Sequence, residues 1–286
     1  MKNSNHHVLR PASFRLDGGA MYGIIPRPLW EKKSPPDELN RIDLALRLVL
    51  IKSGDKNILI DTGIGDYRPE KWNNRFDVRS ESEPLKVTLK KDFGLSPSEI
   101  TDVILSHLHF DHVGGLGSDE QTLLFPSATI HLHRKHYDYA QNPTPRDSGS
   151  FEIKAINQWI DQYIQRGQVN WLHEEKGEIL EGIHYLCSHG HTPHMIHPYN
   201  DEWIYMADLV PTSHHVSIPW VMGYDINPGV TATEKKHILE FIVENNLICI
   251  FEHDPEFWGA SLKRSEKGIQ LDKTFKCKSR EVNHSA

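Results

Sequence analysis

The stretch that most constrains this 286-residue chain is Ser106-His107-Leu108-His109-Phe110-Asp111-His112, which sets four ligand-type side chains within six positions. The residues just before it, 102–106 (DVILS), read as a buried strand, so the polar cluster begins where a strand ends. Side chains two apart on an extended segment share a face, so His107 and His109 can clamp one ion. Asp111 and His112 fall where the chain turns, and Gly114-Gly115 is expected to supply the freedom to turn sharply. They can then address a second ion beside the first. Imidazole and carboxylate together suit zinc, manganese, iron or cobalt.

Further candidate ligands stand at three later strand ends. Ser188-His189-Gly190-His191 follows a strand over 183–187, Asp208 follows one over 203–206, and Glu252-His253-Asp254 follows one over 247–251. Sites in mixed and parallel sheets gather at such strand ends. A carboxylate such as Asp208 can bridge two cations, one oxygen to each.

The spacing of apolar residues predicts strands over 44–51 and 57–61, joined by a Ser53-Gly54-Asp55-Lys56 turn that favours a hairpin. Residues 84–93 read as a helix, with Pro84 in its first turn and Gly94 just past its end. Ser96 to Glu99 is a capping box. Beyond it come strands over 128–133, 169–172 and 195–199, and helices over 151–164 and 231–245. Hairpins mixed with strand–helix units predict an α+β, αββα sandwich: two mixed sheets face to face with helices outside. One domain over 1–286 is expected, with 1–40 an irregular arm that contributes to the pocket.

The formal charge of −7, with both signs interspersed, argues against a nucleic-acid backbone as partner. No run has the length or apolarity of a signal peptide or a membrane span. Cys187, Cys249 and Cys277 form neither a disulfide framework nor a thiolate metal site. These features predict a cytoplasmic protein with a small-molecule partner, no membrane association, and a homodimer left open.

HLHFDH, GHTPH, the aspartate of MADL and the late EHD together resemble the metallo-β-lactamase superfamily, over residues 61–253. The resemblance implies that His107, His109 and His191 hold one metal, and that Asp111, His112 and His253 hold the other. Asp208 would bridge them, and both ions would be divalent transition metals, with zinc foremost. Asp61, in LIDTG, matches the family's early strand-end aspartate and would orient the ligand loop, or else cap the turn before Gly63. The segments DGGAMYGIIPRPLW, LIDTGIG and MADLVPT are similar to the quorum-quenching N-acyl-homoserine lactonase and methyl parathion hydrolase branch. That branch implies a metal-bridging hydroxide attacking a lactone, with Asp111 and Asp208 as catalytic carboxylates. Lactonases of the branch carry a tyrosine three residues after the bridging aspartate, where this chain has Pro211. His194 likewise replaces a glycine. Organophosphate triesterase, aryl esterase and an iron-dependent redox enzyme of the same fold are the alternatives.

Met21, Tyr22 and Trp30 make the early arm apolar for an irregular segment, and Trp220 and Tyr224 do the same after Asp208. With His214 and His215, which could replace the missing tyrosine, they are the candidate pocket for an apolar-tailed lactone or ester. His131, His133 and His136 imitate a ligand motif but lack its Asp-His continuation, and are expected to be ordinary surface or core-edge histidines.

Overall fold

The computed structural model describes residues 5–119 and 121–276; Cys277 lies outside the described residues. Two seven-stranded sheets form the framework. The first holds β1 (Asn5–Asp17), β2 (Arg41–Ser53), β3 (Lys56–Ile60), β4 (Arg79–Ser80), β5 (Asp102–Ile104), β6 (Thr129–His133) and β7 (Val169–Leu172). Its spatial order is β4-β1-β2-β3-β5-β6-β7, antiparallel at the β1, β2 and β4 end and parallel from β3 to β7. The second holds β8 (Lys176–Leu180), β9 (Ile183–Ser188), β10 (Met195–Tyr199), β11 (Trp203–Tyr205), β12 (Ile248–Ile250), β13 (Phe257–Ser265) and β14 (Gly268–Lys276). These lie in reverse chain order across the sheet, with one parallel pair, β11 beside β12.

The strands at the centre of the first sheet are apolar on both faces, and their alternation divides them between two cores. Val49, Ile51, Ile58 and Ile60 turn toward the second sheet and pack in a cluster with Ile196, Ile204 and Ile250. Leu48, Leu50 and Leu59 turn the other way, where Leu85 and Leu89 of α4 (Pro84–Phe93) and Ile156, Trp159 and Ile160 of α7 (Ile153–Gln165) cover them. α8 (Pro228–Asn245) covers the second sheet through Ile238, Leu239 and Ile242. Each such Leu or Ile, fully buried, contributes about 1.5–3 kcal/mol. Four short helices complete the path near the site: α1 (Gly18–Tyr22), α2 (Arg27–Trp30), α3 (Glu70–Arg75) and α5 (Phe110–Val113), with α6 (Arg134–Gln141) following β6.

Local signals act where the sequence places them. The β2–β3 turn pairs Ser53 with Lys56 around a positive-φ Gly54. Gly94 ends α4 in the left-handed conformation, and both bonds of the Ser96–Glu99 capping box form.

The expectation of an irregular arm over 1–40 needs correction. Asn5–Asp17 is a 13-residue strand lying between β4 and β2. Pro11 conceals it in the sequence, but the register shifts between Leu9 and Ala12, so the proline sits in a bulge where no ladder donor is needed. Residues 18–40 do remain mostly loop, around α1 and α2. The β13–β14 hairpin has no counterpart in the expectations, because its second strand is largely polar and exposed.

Candidate metal centre

Strand ends of both sheets converge on one buried cluster. β5 runs out into His107 and His109, α5 carries Asp111 and His112, and the β9–β10 loop carries His191. Asp208 follows β11, and His253 follows β12. One ligand atom from each of His107, His109, His191 and Asp208 lies within 4.8 Å of the others, and the same holds for Asp111, His112 and His253. Asp208 stands between the two groups: its Oδ2 is 3.1 Å from His191 Nε2, and its Oδ1 is 3.1 Å from His253 Nε2. Asp111 Oδ2 is 3.6 Å from His253 Nε2.

The outward nitrogen of most of these rings is already committed, which fixes the tautomer. His191 Nδ1 donates to Asp225 Oδ1 at 2.9 Å, and His253 Nδ1 donates to the Ala45 carbonyl at 2.8 Å. His112 Nδ1 faces Asp61 Oδ2 at 3.0 Å and Glu252 Oε2 at 2.9 Å. Ser106 Oγ gives its proton to Asp61 Oδ2, so it accepts from His107 Nδ1 at 3.0 Å. Each ring therefore turns its Nε2 lone pair inward, the form that binds a metal.

The inward atoms are short of partners. His107 Nε2, His112 Nε2, His109 Nε2 and Asp208 Oδ1 are buried without a hydrogen bond, and an orphaned buried polar atom costs about 1–3 kcal/mol. His109 Nδ1 meets His191 Nε2 at 3.1 Å. The electrostatics run the same way. Burial holds His107 and His109 well below the usual imidazole range, and the neighbouring imidazoles add to it. Burial also lowers His191 and His253, but Asp208 and its neighbours outweigh it and raise both to about 9. Positions that stabilise a proton on an inward nitrogen stabilise a metal cation there too, so the residues present fit divalent metal ions.

Asp61 lies where it can orient the ligand loop: Oδ1 accepts from the Ser106 N–H at 2.7 Å, and Oδ2 takes the Ser106 hydroxyl. Gly114 and Gly115 act differently from expectation. Gly114 has an ordinary helical φ of −61°, and neither glycine is in the positive-φ region. Close approach is what demands them: a Cβ on either would fall 2.2 Å from a carbonyl oxygen, of Ile64 or of Thr62.

The roles of three supporting residues escape the sequence reading. Asp225 carries no local pattern that marks it as the partner of His191, and the EHD run that contains Glu252 does not mark it as the partner of His112. His136, expected with His131 and His133 at the surface or core edge, is fully buried, as those two nearly are. Its Nε2 accepts from the Leu108 N–H at 2.9 Å and its Nδ1 donates to the Pro193 carbonyl at 2.7 Å, which ties two ligand loops together. His131 pairs instead with Asp102 at 2.9 Å, and His133 with the Glu174 carbonyl at 3.2 Å.

The pocket candidates divide. Met21, Tyr22 and Trp30 are buried in a third apolar cluster with Phe14 and Leu44, against which Trp220 and Tyr224 pack. His215 spends both nitrogens, on Thr212 Oγ1 at 2.7 Å and on the Met21 carbonyl at 2.9 Å, and stacks on Tyr22. It has no donor left for a substrate. His214, Trp220 and Tyr224 are half-buried. Burial raises the Tyr224 hydroxyl pKa, and the charges of Asp17, Asp111 and Asp208 add to it. That hydroxyl therefore keeps its proton and can donate it in a hydrogen bond. Phe110, which the sequence candidates omit, packs on Trp72 and Phe76 at ring distances of 5.3 and 5.5 Å.

A buried imidazole–carboxylate cluster at the strand ends of an αββα sandwich defines a class, the metal-dependent hydrolases of this fold. The chain belongs to the metallo-beta-lactamase superfamily, whose sequence pattern matches residues 48–263. An N-acyl homoserine lactonase from a Bacillus species is 26% identical over 236 residues, 77% of this chain and 85% of its own. A probable metal-dependent hydrolase from Staphylococcus aureus is also 26% identical, with a TM-score of 0.86 over 96% of this chain and 98% of its own. AidC, described as a dizinc quorum-quenching lactonase, superposes with a TM-score of 0.73 at 20% identity, over 94% of each chain.

Among the described residues, no helix is long and apolar enough to cross a membrane.

Proposed function

We propose that the protein is a dinuclear lactonase that opens N-acyl-homoserine lactones, with His107, His109 and His191 on one ion, Asp111, His112 and His253 on the other, and Asp208 between them. The observation that carries this reading is Asp208, whose two oxygens address two histidine groups while His107, His109 and His112 keep unpartnered inward nitrogens. The lactonase names among its relatives and the dizinc description of AidC support the substrate and the metal. Bound zinc would supply Lewis acidity toward the lactone carbonyl and bring the pKa of water toward about 7.

The chain's own residues do the rest. Tyr224 keeps its proton and donates it in a hydrogen bond to the carbonyl oxygen, replacing the tyrosine lost at Pro211. Once the attacking hydroxide has added to the carbonyl carbon and the ring C–O bond breaks, Asp111 takes the proton of the added hydroxyl and passes it to the leaving alkoxide, giving a carboxylate and an alcohol. Asp61, Asp225 and Glu252 hold the imidazoles in their working tautomers. Phe110, Trp220 and the ring of Tyr224 offer apolar surface to the acyl tail, where each buried methylene contributes about 0.8 kcal/mol.

A substrate panel on zinc-loaded protein tests the reading. It should hydrolyse acyl-homoserine lactones, with long acyl chains ahead of short ones. Far faster turnover of phosphotriesters or aryl esters would overturn the lactonase assignment, and Pro211 makes that the outcome to look for first.

A further inference from the structure

A second group of ligand-type side chains lies outside that centre, on the outer side of the loop that carries His191. Glu175, His189 and His194 each place one ligand atom within 4.8 Å of the others. His189 Nε2 is 2.8 Å from Glu175 Oε2, and His194 Nδ1 is 3.4 Å from Glu175 Oε1. His194 Nδ1 is buried and has no hydrogen-bond partner, whereas Glu175 is largely exposed, so an ion there would keep access to water.

The backbone supplies an independent observation. His194 has a φ of +58°, a left-handed conformation that is strained for a residue with a Cβ and that glycine adopts freely. The ring so placed stacks on His133 at 4.7 Å with the planes 1° apart. A strained residue with an orphaned nitrogen aimed at a carboxylate suggests a function for that nitrogen.

We propose that Glu175, His189 and His194 form a third metal site, for zinc or a similar divalent transition metal. Two imidazoles and one carboxylate are the donor set such ions prefer. Binding at His189 Nε2 would leave the proton on Nδ1, at the expense of the 3.2 Å bond that Nδ1 accepts from the His194 N–H. Glu175 immediately precedes β8, while His189 and His194 flank His191. The ion would therefore clip the His191 loop to the edge of the second sheet. The opposite side of the loop is already pinned by Glu234, which accepts from the His189 and Gly190 N–H groups at 2.8 and 2.9 Å.

Equilibrium dialysis against micromolar Zn2+, followed by elemental analysis, tests the site on the full-length protein, His194→Gly and Glu175→Gln. The unmodified protein should hold one more zinc per chain than either variant. That difference does not depend on how many ions the main centre takes, so this proposal and the dinuclear reading can fail separately. His194→Gly relieves the strained backbone and Glu175 is a surface residue, so both chelated variants should melt no lower than the unmodified protein. Equal zinc in all three proteins, or loss in only one variant, overturns the three-ligand site.

Discussion

Asp208 turns one oxygen toward His191 and the other toward His253, so its removal takes a ligand from both sides of the centre. Elemental analysis of Asp208→Ala should show at least one ion per chain fewer than the unmodified protein, because the bridge is the shared ligand of the main centre. Tyr224 makes the contrasting case. Burial, with the charges of Asp17, Asp111 and Asp208 added, raises its hydroxyl pKa, and it is not among the proposed ligands. Tyr224→Phe should keep full metal content and lose about ten-fold in kcat/KM on lactones, the worth of one hydrogen bond to the reacting carbonyl. An unchanged rate would leave the loss at Pro211 without compensation. The ligands themselves are legible in the sequence because they cluster in motifs. Their carboxylate partners are not: Asp225 is a lone carboxylate in a loop, and nothing in the EHD run assigns Glu252 to His112 until folding brings the two together. His136 shows the converse: the HLHRKH run imitates a ligand motif, and packing makes its last member a brace between Leu108 and Pro193.

At the scale of elements, what positions the centre is the closeness of loop to loop. The segment after α5 lies directly on the loop from Thr62 to Gly65, with Gly115 N–H bonded to the Gly63 carbonyl at 3.0 Å and the Thr62 N–H bonded to that of His112 at 2.7 Å. A methyl group on Gly115 would meet the Thr62 carbonyl oxygen at 2.2 Å. Two backbones would have to separate to admit it. Gly115→Ala should cost about 1–3 kcal/mol in a urea titration and weaken metal retention, since Asp111 and His112 ride on the displaced segment. Wild-type stability with normal metal content would show that the loops part easily. Periodicity finds α4 with its observed bounds and α7 and α8 to within a few residues, because each buries one apolar face. It misses β1, where a mid-strand proline hides a bulge, and β14, where alternating exposed residues provide little apolar signal.

For the molecule as a whole, the large content of buried imidazole has a consequence for acid stability. Burial, above all, lowers His136 and His215 to about 3 and His197 to about 4. The native protein keeps these rings neutral, while the unfolded chain takes up protons below the ordinary value of 6.5. Their contribution is therefore fully present above pH 6.5 and is lost as the pH falls toward the folded values. Each group adds about 1.4 kcal/mol per pH unit to the slope. His197, bonded to Ser188 Oγ at 2.8 Å, is the one to test, because it touches no candidate ligand. Denaturant unfolding at about pH 6 and pH 5 should show His197→Gln losing about one proton's worth of the pH dependence. Parallel slopes for the two proteins would exclude the effect.

The sequence by itself determined the ligand types, their place at strand ends, the two-sheet architecture and the helices with one apolar face. All of these rest on residues near one another in the chain, where spacing alone decides which side chains share a face. The tertiary structure decided the rest. It set which carboxylate serves which imidazole and committed His215 to Met21 and Thr212. It buried Met21, Tyr22 and Trp30 in an apolar cluster and left Trp220 and Tyr224 half-buried. It also explains the two glycines by crowding rather than by turning. These are contacts between residues tens to hundreds of positions apart, and their energies come from burial and from partners that only the folded chain brings within hydrogen-bonding distance.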